Sequence, residues 1–245
     1  MDKWKKMIFG LFIVLAACGC LFYFYRLFYG WTDLHFNSKV EREDIKIACV
    51  GDSITYGASI PNWYFNNYPK QLDELLGDGY HVANFGATNR TASSTGDDPY
   101  ADEDIYHDSL EYQPDVVVLM LGTNDAKLHN WPGEDRFRSE YEKLIESYLE
   151  LESKPTILLA SPPSVFYVKE NMKMDSAAFE KVEAVIEEER KIVYEIADQK
   201  GLQFIDMHTF TENRPEWFMD DGVHPDEEGA KAMAEHIYDY IKVTL

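Results

Sequence analysis

The chain is 245 residues long, 45% hydrophobic and 27% charged, values that exclude a disordered, collagen-like or coiled-coil protein and leave room for one large domain or two small ones. With 44 acidic against 23 basic residues the net charge is −21, which repels phosphate backbones and excludes general nucleic-acid binding. The excess is spread over the globular part: residues 1–44 hold 6 basic and 5 acidic residues, so the remainder carries −22. Of the three cysteines, Cys18 and Cys20 fall in an N-terminal apolar run. That leaves Cys49 alone in the domain, with no internal disulfide and no zinc spacing.

Residues 1–6 read as a cytoplasmic, lysine-bearing n-region (Lys3, Lys5, Lys6) ahead of Met7–Tyr25, 19 residues without a charge. At ~1.5 Å per residue that run crosses a ~30 Å hydrocarbon core. Basic residues before it put the N-terminus inside and the remainder outside. Trp4 at one end, with Tyr29 and Trp31 at the other, suits the two interfacial layers. A second reading starts from Leu15-Ala16-Ala17-Cys18, which looks like a lipoprotein cleavage site, although an apolar stretch follows it instead of a polar tether. Both readings attach an extracytoplasmic domain to the membrane. Residues 26–44 form the linker, polar from Thr32 to Asp44.

From residue 45 to 245 short apolar runs alternate with helical patterns. Strands are expected at Ile45–Val50, Tyr80–Phe85, Asp115–Leu121, Thr156–Ala160 and Leu202–Asp206, rich enough in Val, Ile and Leu to be buried on both faces of a parallel sheet. Between them lie two amphipathic stripes: Phe137, Tyr141, Leu144, Ile145 and Tyr148, then Val182, Val185, Ile186, Val193, Ile196 and Ala197, the second closed by Gly201. A last helix after Pro225 buries Ala230, Met233, Ala234, Ile237 and Ile241. The alternation predicts one open, doubly wound α/β domain with a five-stranded parallel sheet.

Sites in such sheets form at the carboxyl ends of the strands. Those ends carry Gly51-Asp52-Ser53, Asn84-Phe85-Gly86 and Gly122-Thr123-Asn124-Asp125, and Asp221-Gly222-Val223-His224-Pro225 precedes the last helix. A serine hydroxyl needs a base, an orienting carboxylate and donors aimed at the developing oxyanion. Ser53 supplies the hydroxyl, His224 the base and Asp221 the carboxylate; the N–H groups of Ser53 and Gly86 and the Asn124 amide supply the donors. His208, beside Asp206, is the competing base but lacks the Asp-x-x-His-Pro setting. Asp52 and Asp125 read as structural.

In order, these four blocks resemble those of the SGNH (GDSL-type) hydrolases, over about residues 45–245. The resemblance implies a flavodoxin-like three-layer α/β/α sandwich, Ser53 as nucleophile with Asp221 and His224, and hydrolysis of esters or thioesters without metal or cofactor. One block departs: after Gly86 come Ala87-Thr88-Asn89-Arg90, where many members carry a small residue and then glycine. That change bears on the shape of the acyl pocket. Trp63 and Trp131 lie near the expected site and suit stacking on sugar rings. The expected function is a membrane-attached serine esterase acting on acyl, first of all acetyl, esters of glycans or small molecules. A lipid or thioester acyl-hydrolase stands second and a non-catalytic glycan-binding module third.

Overall fold

The computed structural model describes residues 3–28, 44–170 and 174–245. Helix α1 (Lys3–Phe28) comes first, then strand β1 (Ile45–Gly51), the short helices α2 (Ser53–Tyr56) and α3 (Trp63–Asn66), and α4 (Tyr68–Leu76). Next are β2 (Tyr80–Gly86), α5 (Asp104–Glu111), β3 (Val116–Met120), α6 (Glu134–Leu149) and β4 (Thr156–Ala160). The chain ends with α7 (Ser176–Lys200), β5 (Gln203–Ile205), α8 (Met207–Thr211) and α9 (Glu227–Thr244). The strands form one parallel sheet in the order β2-β1-β3-β4-β5.

Alternation along the strands divides the core in two. Ile47, Cys49, Val118 and Leu158 face one side, against Leu72 of α4 and Ile237 and Ile241 of α9. Ala48, Val50, Leu119 and Leu159 face the other, against Tyr141 and Ile145 of α6 and Val193 of α7. All five residues of β3 are buried. At about 1.5–3 kcal/mol for each large aliphatic side chain removed from water, this central strand anchors both layers. The helix ends follow from their sequence. Asp175 accepts from the Ala178 N–H to cap α7, whose other end stops at Gly201 with φ 65° and ψ 32°.

The register sets the site. Gly51 pairs with Gly86 of β2 and Met120 of β3, so the three strands end flush. The chain leaves β1 toward β2 and returns on the other side to β3. The crevice therefore opens between the ends of β1 and β3.

In α1, the stretch Leu11–Phe28 has a mean hydropathy of 2.0, and none of it is buried. Tyr29, Trp31 and the linker through residue 43 lie outside the described residues.

Candidate active site

Ser53 opens α2 immediately beyond β1 and is 6% exposed. Close packing forces this turn: a methyl group at Gly51 would stand 2.1 Å from Thr55 Oγ1 and 2.6 Å from Met120 O. Asp52 caps α2, accepting from the Ile54 N–H at 2.9 Å. Opposite, His224 Nε2 lies 2.9 Å from Ser53 Oγ and His224 Nδ1 lies 2.7 Å from Asp221 Oδ2. Asp221 Oδ1 accepts from the N–H groups of Val223 and His224, both at 2.9 Å. Burial works against ionisation of Asp221, but the His224 hydrogen bond and charge outweigh it and hold the carboxyl below its usual range. An ionised Asp221 only accepts, so it fixes the proton on His224 Nδ1 and leaves the Nε2 lone pair facing Ser53 Oγ–H.

The turn that carries the pair is held from behind. Gly222 has φ +68°, and a methyl group there would fall 2.0 Å from Phe166 O; its own carbonyl accepts from Phe166 N–H at 2.7 Å. Only glycine fits that approach.

Asn124 borders a cavity of about 300 Å³, together with Ser53, Asn89, Lys127 and His224. Its amide donates to Arg90 O at 3.1 Å and to Asp52 Oδ2 at 3.3 Å. Asp125 accepts from the N–H groups of Ala92 and Ser93 at 2.8 Å, tying the loop after β2 to the one after β3. Burial pushes Asp52 up to about 6 and Asp125 up to about 7, despite these donors.

Gly86 does not join this group. Its N–H donates to Asn84 Oδ1 at 2.9 Å, and a methyl group on it would sit 2.2 Å from Tyr56 N. Gly86 is needed so that β2 can approach α2, and its donor is already engaged. The residue that reaches the cavity from this loop is Asn89, at φ +65°. Asparagine tolerates the left-handed region.

The two tryptophans also lie elsewhere. Trp63 is 5% exposed, stacks on Tyr56 at 4.4 Å, and donates Nε1–H to Leu27 O at 2.6 Å. It joins the end of α1 to the domain. Trp131 packs on Phe137 and on the cluster behind the cavity wall. That wall is apolar: Val165, Phe179, Val182, Ile186 and Val223. The spacing of Val182 and Ile186 on α7 carried a helix signal but nothing to separate a core stripe from a pocket wall. His208 lies 3.8 Å from Glu187 and lines a separate surface depression with it.

Known proteins resemble this chain along most of its length. It is 40% identical over 219 residues to an acetylxylan esterase of Xylanibacter ruminicola, a match covering 82% of this chain and 44% of that protein. The chain thus spans less than half the length of that relative. Among solved structures, the aryl esterase of M. smegmatis superposes with a TM-score of 0.66 at 20% identity, covering 82% of this chain and 99% of that one. A carbohydrate acetylesterase family member from Sinorhizobium meliloti gives 0.63 at 24% identity, covering 81% and 97%. At these identities the structural likeness is one of fold. The profile of the GDSL-like lipase/acylhydrolase family matches residues 49–232, a span that includes Ser53, Asn124, Asp221 and His224, and the chain belongs to that family.

Proposed function

We propose that this protein is a membrane-attached serine esterase that removes short acyl groups, acetyl first, from carbohydrate esters outside the cytoplasm. The observation that carries the reading is the continuous relay Ser53 Oγ, His224 Nε2, His224 Nδ1, Asp221 Oδ2, with links of 2.9 and 2.7 Å at the edge of a cavity. Ser53 Oγ attacks the ester carbonyl as His224 Nε2 takes its proton. The imidazolium, stabilised by Asp221, returns the proton to the leaving alcohol. Water, deprotonated by the same nitrogen, then releases the acid from the acyl-enzyme. The oxyanion is held by the N–H groups of Ser53 and Asn89 and by the Asn124 amide, which turns from its long contact with Asp52.

The apolar wall takes the acyl group, and the polar rim of Asn89, Thr123 and Lys127 faces the alcohol. Identity of 40% to a protein named acetylxylan esterase supports acetyl and carbohydrate. The apolar wall favours a second reading, a lipid or thioester acyl-hydrolase. Rates on acetylated xylo-oligosaccharides and on an acyl-length series of nitrophenyl and thioesters separate the two. Acetate release from the sugar, with rates falling beyond butyryl, is the expected result. Rates that climb through decanoyl, with the acetylated sugar untouched, would establish the second reading.

Membrane attachment rests on α1, whose 26 residues span about 39 Å. Protease added to intact protoplasts should digest the domain of residues 45–245. A protected domain would refute the topology. Palmitate labelling that disappears in Cys18→Ser would identify the lipoprotein form.

A further inference from the structure

Glu189 lies on α7, one turn beyond Ile186 of the cavity wall. Its side chain is fully buried, and neither carboxyl oxygen has a hydrogen-bond partner among the described residues. The turn after β3 rests on it. A methyl group built on Gly122 would fall 2.7 Å from Glu189 Oε2 and 2.7 Å from Pro162 Cγ. Gly122 has φ +137°, and Asn124 and Asp125 follow two and three residues later.

Among the described residues, the titratable groups facing Glu189 are Asp125 in that turn, Asp52 beyond β1, Tyr141 on α6 and Glu188 on α7 itself. Each is an acid or a phenol. Asp52 and Asp125 need acceptor oxygens: the first takes hydrogen bonds from Asn124 and Ile54, the second from Ala92 and Ser93. Those contacts hold the two loops that bear Asn124 and Asn89. A third charge in this space would compete with both. An ionised carboxyl without water, donor or cation is far costlier than the neutral acid. Burial, reinforced by the fields of Asp125 and Asp52, pushes Glu189 well above the carboxylate range.

We infer that Glu189 works as a neutral carboxylic acid and is a positioning residue for the Ser53 site. It seats the Gly122–Asn124 turn without adding a negative charge of its own near the forming oxyanion. This rests on Ser53 being the nucleophile.

The sign of the pH dependence follows. A carboxyl whose folded pKa is raised binds its proton more tightly in the folded state, so its contribution is lost as pH rises through the folded value.

The test uses the full chain in detergent. At neutral pH the infrared spectrum of the wild type should carry the carbonyl band of a protonated carboxyl that Glu189→Gln lacks. Wild-type kcat/KM and melting temperature should fall on the alkaline side, where the Gln variant holds its plateau about one pH unit longer. Glu189→Ala, which removes the seat, should cost roughly tenfold or more in kcat, most of it restored by Gln. Absence of the band, or an alkaline limb shared by wild type and Gln, would overturn the inference. The infrared result holds even if Ala fails to fold. Activity surviving in Ser53→Ala would instead refute the nucleophile, with the infrared result untouched.

Discussion

Ser53→Ala should lower kcat/KM by ~10⁵–10⁶-fold, the loss seen when the nucleophile of a serine triad is removed. That is about 7–8 kcal/mol of transition-state stabilisation. The fold should hardly notice. The hydroxyl reaches His224 Nε2 at 2.9 Å at the edge of a cavity, so its loss leaves no apolar void, and water can take its place on the imidazole. The cap of α2 is made by Asp52, which the substitution leaves alone. Kinetics on a soluble ester with a melting curve separates loss of chemistry from loss of fold. A fluorophosphonate should label the wild type at Ser53 and leave the variant unlabelled. An adduct on another serine would falsify the assignment.

Much of the architecture was legible because it depends on composition averaged over a whole element. The five apolar runs are the five strands, with ends shifted by a residue or so: β1 runs through Gly51 and β2 through Gly86, while β3 and β5 are shorter than expected. The stripe from Phe137 to Tyr148 is the buried face of α6, and Gly201 ends α7 in the left-handed region. Parallel strands that end flush then bring Ser53 and Asn124 together, and Asp221-x-x-His224 arrives before the last helix.

What was harder to read depends on direction instead. Gly86 ends β2 and Asn89 lies three residues later in the loop that follows, and only the course of the backbone decides which faces the cavity. A pattern search favours the glycine; φ +65° and the bond from Gly86 to Asn84 favour the asparagine. Trp63 and Trp131 lie close to the site in sequence, but Trp63 is taken up by Tyr56 and Leu27, and Trp131 by Phe137. Two residues of the apolar wall, Val182 and Ile186, were hidden in a stripe read as core. Glu189 was passed over, although it falls three residues after Ile186 and four before Val193, in line with that stripe.

Asn124→Ala should lower kcat by ~10²–10³, the cost of losing one oxyanion donor. The loss is not only local packing, and a second substitution shows why. Asn124→Asp keeps the shape but turns a donor into an acceptor beside Asp52, which is 1% exposed and already pushed up to about 6. If Asn124 merely filled space, Asp would be the milder change. If it binds the oxyanion, Asp adds a repelling charge and should fall below Ala at every pH where it is ionised. Asn89 can be tested the same way through its backbone. Asn89→Gly suits φ +65° and should keep kcat within about threefold, while Asn89→Val cannot adopt that angle without strain and should lose tenfold or more. Normal kcat in Asn124→Ala, or Asn124→Asp more active than Ala, would reduce Gly122–Asp125 to a turn and leave the chemistry to Ser53, His224 and Asp221 alone.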